Sequence, residues 1–299
     1  MSILAGTNYD PAVAVSKGTT AAQAMTAIDT TNLRLTFTAP ANGTVLVRMG
    51  ACVHGATTFP QLLMGVMSGA TVVARVAPMG NNTDSLATTR LPLEAQFVIS
   101  GLTPGNSYTW DAAWGVETGV AATGLKYGGP NDTTTDNAYG GFYFEVWEAG
   151  NCLGAVLYDP VAAVTKVLTS LLAMTAFNTS TARITFTAPA SGKILWVVRA
   201  CQEGSTTFGS PLLGVLDGST VKGRQYPRSD RTGTGLATTH VMREASAVVT
   251  GLTPGNSYSY DAAYGCEVIA GAGGYKYGGP DNGTSDDAFG ALQFEIWAA

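Results

Sequence analysis

Gly101-Leu102-Thr103-Pro104-Gly105-Asn106-Ser107-Tyr108 occurs a second time, residue for residue, from Gly251 to Tyr258. Lys126-Tyr127-Gly128-Gly129-Pro130 returns at Lys276 to Pro280. Upstream, Tyr9-Asp10-Pro11 matches Tyr158-Asp159-Pro160, and Thr36-Phe37-Thr38-Ala39-Pro40 matches Thr185 to Pro189. The offset is 149 residues there and 150 further on, so one insertion separates the copies, between Pro78 and Leu86 in the first and Pro227 and Leu236 in the second. Solenoid units repeat every 20 to 50 residues or so, and a period this long is a duplicated whole domain. The boundary is expected near residue 150, giving domains over 1–149 and 150–299. Each is long enough to bury a core without disulfide or metal staples.

Working outward from that turn, both copies read as strand with period two. Leu35 and Phe37 share one face of Arg34-Leu35-Thr36-Phe37-Thr38, and Ile184 and Phe186 repeat the arrangement. After the Pro40 to Gly43 turn, Val45, Val47, Met49 and Ala51 fall on one face, matched by Ile194, Trp196, Val198 and Ala200. The strand after the quoted turn aligns Tyr108, Trp110, Ala112 and Trp114 with Tyr258, Tyr260, Ala262 and Tyr264 as core residues, while Thr109, Asp111 and Ala113 point away. In the closing strand Phe142, Phe144 and Val146 turn inward and Glu145 and Trp147 outward; Glu295 and Trp297 repeat that pair. The Thr19 to Ala27 stretch and its counterpart from Leu168 to Met174 have no clear period and are expected to be irregular. The fold class that follows is all-β, two tandem antiparallel β-sandwiches. The short junction from Glu148 to Leu153 is expected to pack the domains rigidly.

Only 12% of the chain is charged, against roughly a quarter in an average domain. Little of the surface is kept soluble by charge, which suits a chain covered by partners. The first half holds 6 Lys or Arg and 10 Asp or Glu, the second 10 and 11. With no basic stripe, a nucleic-acid partner is not expected. Met1 to Asn8 has no basic stretch leading into an apolar core, so no signal peptide is expected, and no apolar run reaches the roughly 18 residues of a membrane span. Cys52 and Cys201 are counterparts, whereas Cys152 stands opposite Ile3 and Cys266 opposite Val116. No bridge is common to both copies, and free, mostly buried thiols are expected, in keeping with synthesis in a reducing cytoplasm.

Tyr108 and Tyr258, each following Gly-Leu-Thr-Pro-Gly-Asn-Ser, resemble the tyrosine corner of Greek-key sandwiches, whose hydroxyl ties back to nearby backbone. Phe-Thr-Ala-Pro-Ala-x-Gly before an alternating strand, with a closing strand rich in Phe and Gly, resembles the jelly roll of tumour necrosis factor and complement globular heads, which implies a jelly-roll-like sandwich and a homotrimer. Over both halves, the Gly-Leu-Thr-Pro-Gly-x-x-Tyr turn and the Tyr-Gly-Gly-Pro-Asn/Asp segment (Tyr127 to Asn131, Tyr277 to Asp281) look similar to structural proteins of tailed-bacteriophage virions. That resemblance implies a non-enzymatic virion component made in the host cytoplasm, most simply a capsid decoration or cement protein whose partners are itself and the major capsid protein. The alternative is a tail-associated or fibre module that binds host surface glycans through exposed aromatics.

The interface candidates are Trp147, Trp297, Glu145 and Glu295, with Leu46 and Leu195 on the outer side of the preceding strand. No cofactor is implied. Calcium is the one ion that the Asx-rich loops suggest, through Asp132, Asp136, Asp281 and Asp286, although such loops also form ordinary turns. His54 stands opposite Glu203 and His240 opposite Arg90, and no hydrolase or phosphate-cradling motif occurs. Asp111 with Glu117, repeated as Asp261 with Glu267, is a carboxylate pair about 20 Å apart on an extended strand, too far for glycoside hydrolysis. An exposed or interface-bonded role is expected for these acids instead.

Overall fold

Alternating apolar positions of the sequence become strands in a computed structural model, which describes residues 1–19, 21–54, 62–79, 90–117, 120–130, 132, 137–168, 172–203, 211–228, 241–266, 274–284 and 287–299, with backbone alone at 120–123. Repeat 1 forms β1 (Ile3–Tyr9), β2 (Val15–Thr19), β3 (Gln23–Ala27), β4 (Arg34–Thr38), β5 (Val45–His54), β6 (Leu62–Ser68), β7 (Thr71–Val76), β8 (Arg90–Ile99), β9 (Ser107–Val116), β10 (Val120–Tyr127) and β11 (Phe142–Glu148). Repeat 2 forms β12 (Cys152–Tyr158), β13 (Val164–Val167), β14 (Leu172–Ala176), β15 (Arg183–Thr187), β16 (Ile194–Glu203), β17 (Pro211–Asp217), β18 (Thr220–Gln225), β19 (Val241–Val249), β20 (Ser257–Cys266), β21 (Gly274–Tyr277) and β22 (Leu292–Ala298). No helix occurs among the described residues, and none is long and apolar enough to cross a membrane.

Each repeat makes two antiparallel sheets. In repeat 1, β5 is central to one: β11 and then β10 pair along the same edge, β8 takes the other, and β1 and β2 lie outside. In the second sheet β9 pairs first with β4 and then with β3 on one edge, and with β6 on the other, with β7 beyond. Counting β1, β4, β5, β6, β7, β8, β9 and β11 as principal strands, the orders are first-eighth-third-sixth and second-seventh-fourth-fifth. That is the double Greek key of a jelly roll, and repeat 2 follows it strand for strand.

The two repeated turns lace together. Leu102 N–H donates to Gly43 O at 3.0 Å and Gly105 N–H to Ala39 O at 3.0 Å. Gly43 sits at φ +61°, and a Cβ there would lie 2.3 Å from Leu102 O, so both the backbone conformation and the approach require glycine. Repeat 2 makes the same stitches from Leu252 to Gly192 and from Gly255 to Ala188.

Val45, Val47, Met49 and Ala51 are buried, as are Ile194, Trp196, Val198 and Ala200. Phe37 meets Trp110 edge-on at 4.8 Å, and Phe186 meets Tyr260 likewise at 5.3 Å. The cores differ by compensated swaps. Val47 and Ala74 become Trp196 and Gly223, and a Cβ on Gly223 would fall 2.6 Å from the Trp196 indole nitrogen.

The irregular reading of Thr19 to Ala27 and of Leu168 to Met174 is corrected. Among the described residues, Thr19 ends β2, Gln23–Ala27 forms β3 and Leu172 to Met174 lie in β14, because β9 and β20 offer edges to which Thr26 and Ala27, and Thr175 and Ala176, pair. A register shift between Gln23 and Thr26 hides the period from the sequence. The partner strand, rather than local propensity, sets the conformation.

Two compact units emerge that differ from the repeats by short segments. Unit 1 comprises Met1–Phe97, Leu102–Glu148 and Pro280–Ala288; unit 2 comprises Val98–Gly101, Ala149–Gly279 and Phe289–Ala299. Each therefore takes in a segment from the other repeat's stretch of sequence.

Candidate interaction faces and buried acids

Strand parity on β11 and β22 aims Glu145 with Trp147, and Glu295 with Trp297, away from the sandwich core. Each indole N–H donates to the neighbouring carboxylate, Trp147 to Glu145 at 2.8 Å and Trp297 to Glu295 at 2.9 Å. An arginine bridges each site to the strand beyond. Arg48 reaches Glu94 at 3.1 Å and Glu145 at 3.7 Å. Arg199 reaches Glu295 at 2.7 Å and also binds Glu244, with Gln293 at 3.4 Å. Burial works against the Arg199 charge, but the two carboxylates outweigh it and hold its pKa above the usual arginine range.

The arginines are not counterparts. Arg48 aligns with Val197 and Arg199 with Gly50, so the cation has moved two residues along the strand while keeping equivalent carboxylate partners. Tyr143 fills the space over Gly50, where a Cβ would lie 2.5 Å from its ring.

The copies differ most in exposure. Glu145 and Glu94 side chains are 26% and 46% exposed, whereas Glu295 and Glu244 are 3% and 20%. Trp147 is half-buried and Trp297 is buried. The expectation of an exposed Glu295 and Trp297 is thus corrected: parity aims them outward, and the surface they reach is closed. Leu46 is buried and Leu195 half-buried.

Asp111 and Asp261 also depart from expectation. Both lie on the outer side of their strands, yet they are buried beneath Arg34 and Arg183, each of which donates two hydrogen bonds at 2.7 to 2.9 Å. The register Arg34↔Asp111 and Arg183↔Asp261 makes this a cross-strand pair. Glu117 is buried as well and accepts the Ala288 N–H at 3.1 Å, within unit 1. Burial pushes its carboxyl up to about 7; the Ala288 bond opposes the shift and nearby Asp287 adds to it. Glu267 lies outside the described residues.

Of the calcium candidates, Asp136 and Asp286 lie outside the described residues and Asp132 is exposed. Asp281 accepts the Met25 N–H at 2.8 Å and stands 4.0 Å from the Arg75 guanidinium, so its Oδ1 faces donors. No group of three or more His, Cys, Asp or Glu suited to a metal occurs among the described residues. No disulfide joins the four cysteines; Cys52, Cys201 and Cys266 are buried, and burial raises the Cys152 thiol to about 12. His54, buried, packs on the Tyr139 ring at 5.5 Å, and Lys126 lies 5.0 Å over that ring. In repeat 2 Lys276 pairs with Glu203. His240 lies outside the described residues.

The sequence reading missed Glu94, Arg48, Arg199 and Glu244. Repeated Glu94 and Glu244 were a usable signal. The displaced arginine was not, since alignment sets it opposite valine and glycine.

No protein-family model matches this chain, and no curated protein matches it in sequence. Among solved structures, it is similar to a peptide-N(4)-(N-acetyl-β-D-glucosaminyl) asparagine amidase at TM-score 0.37 and 8% identity, covering 98% of this chain and 96% of that one. It is also similar to the CBM22-1–CBM22-2 tandem of Xyn10C from Paenibacillus barcinonensis, at TM-score 0.25 and 11% identity over 100% and 98%. The VP2 subviral particle of infectious bursal disease virus follows at TM-score 0.18 and 10% identity over 96% and 82%. Likenesses at these scores assign neither a family nor an activity.

Proposed function

We propose that this chain is a non-enzymatic structural protein of a tailed-phage virion, a decoration or cement component that docks on the capsid surface as a homotrimer. Its work is burial of surface between shell subunits, and the major capsid protein is the partner. The observation that carries the reading is the half-open face of Glu94, Arg48, Glu145 and Trp147, whose counterparts in repeat 2 are closed. A pre-ordered aromatic and ion-paired patch is the kind of surface that anchors a protein interface. The bidentate pairing of Asp111 and Asp261 with arginines occupies acids that hydrolysis would need free.

The test is to locate the polypeptide in intact particles by imaging with a site-specific label, and to measure retention on the particle for Trp147→Ala. Capsid-surface density and weakened retention are expected; absence from the particle overturns the reading. The glycan-binding alternative rests on Trp147, since Trp297 is buried. Glycan-array binding abolished by Trp147→Ala, with particle retention unchanged, would favour it.

A further inference from the structure

Both repeats set a lysine over an aromatic ring, each within a single unit, and they differ in what they place beside it. In repeat 2 the Lys276 ammonium stands 4.7 Å over the Phe289 ring and pairs with the Glu203 carboxylate. The Glu203 side chain is 3% exposed and that of Lys276 23%, so the lysine holds a carboxylate out of most solvent. The register Cys201↔Lys276 and Glu203↔Gly274 brings the two together diagonally across β16 and β21.

In repeat 1, β5 and β10 keep that frame, with Cys52↔Lys126 and His54↔Gly124. The lysine and the ring are kept as Lys126 and Tyr139, but His54 stands at the Glu203 position, and Arg90 stands where repeat 2 has His240. Arg90 and Lys126 each lie 5.0 Å from the Tyr139 ring centroid, Lys126 Nζ is 3.4 Å from the Tyr139 hydroxyl, and the buried His54 packs on the same ring at 5.5 Å. Burial raises the Cys52 thiol, and Arg90 and Lys126 both oppose that shift, which sets both charges near one sulfur. Repeat 1 holds only 6 Lys or Arg, and two of them meet at this ring. Like charges gathered at a half-buried place repel, and an anion between them offsets the cost.

We infer that Lys126 and Arg90, gathered by Tyr139 over His54, bind the carboxylate of a small organic acid. The ligand takes the part that Glu203 plays in repeat 2, where the chain provides its own carboxylate. The Arg90 fork and the Lys126 ammonium donate charge-assisted hydrogen bonds to the carboxylate oxygens. His54 matters by what it replaces, since a glutamate there would fill the same place. Lys126 is half-buried and Arg90 exposed, so the ligand enters from solvent. The site is separate from Trp147 and Glu145 and does not depend on the particle-docking reading.

Titration of the full chain with succinate, followed through the Arg90 and Lys126 side-chain nitrogen resonances, tests it. Saturable shifts are expected, with a dissociation constant on the order of 1 mM, the affinity that a few charge-assisted hydrogen bonds support. The neutral diamide succinamide should produce none. His54→Glu rebuilds the repeat 2 arrangement, and Lys126→Met removes the cation at similar volume; each should weaken binding roughly tenfold or more, while Lys276→Met in repeat 2 leaves it unchanged. Melting curves show which variants are folded, and Arg90→Gln, at an exposed side chain, carries the comparison if His54→Glu is not. A wild-type chain without saturable shifts overturns the inference and leaves particle docking untouched. Equal shifts with succinamide, or folded variants that bind like wild type, overturn it too.

Discussion

The Tyr108 hydroxyl accepts the Thr103 N–H at 3.0 Å, and Tyr258 accepts that of Thr253 at 3.0 Å, so the quoted octapeptide carries its own fastening. Tyr108→Phe and Tyr258→Phe should each cost about 1 kcal/mol, the ordinary worth of one such bond. The check is a lower denaturant midpoint with an unchanged slope. Glu117 gives a different signature. Its folded pKa of about 7 lies above the ordinary 4.5, so between those values the folded chain holds a proton that the unfolded chain has released. The associated stability is full below 4.5 and is lost as pH rises through 7. Glu117→Gln keeps an acceptor for the Ala288 N–H and cannot titrate; its melting temperature should vary less than wild type across that window. The tyrosine corner could be read from the sequence because its parts lie within eight residues. Glu117 could not, since Ala288 is 171 positions away.

Strand pairing decides what an isolated segment cannot. Leu35 with Phe37, and Val45 with Val47, announce their faces through period two, and the core residues follow from them. β3 and β14 announce nothing: a register shift breaks their alternation, and only the edges of β9 and β20 make them strands. The β5 and β16 arginines were hidden for another reason, because a shift of two positions keeps the outward face and the carboxylate partners but defeats residue-by-residue alignment. Trp196 against Gly223 is a packing pair on neighbouring elements, and it is testable as such. Gly223→Ala should cost about 1–3 kcal/mol by crowding the indole. In a Trp196→Val background the same change should cost much less, since repeat 1 accommodates Val47 with Ala74. A double-mutant cycle with no coupling would exclude the contact.

At the scale of the whole molecule, duplication was plain in the letters and the exchange of segments was not. Pro280–Ala288 is encoded in repeat 2 and belongs to unit 1, where Asp281 caps the Met25 N–H across 256 positions of sequence. Asp281→Ala should speed hydrogen exchange at the Met25 amide roughly tenfold or more, because a bond from an amide to a carboxylate is among the stronger ones. Exchange at Met174, the counterpart in repeat 2, should be unchanged. Equal protection of Met25 in the variant and wild type would remove the tether. The closed outer surface of Glu295 and Trp297 escaped the sequence for a related reason: parity says which way a side chain points, and only the assembled chain says what it meets.

The tethered segment also has a bearing on synthesis. The last residues that unit 1 needs are delivered only after roughly 130 further residues have emerged from the ribosome at about 5–20 per second. The amino-terminal half therefore waits, incomplete, for tens of seconds at the slower rate, and a premature stop in the second half spoils the first as well.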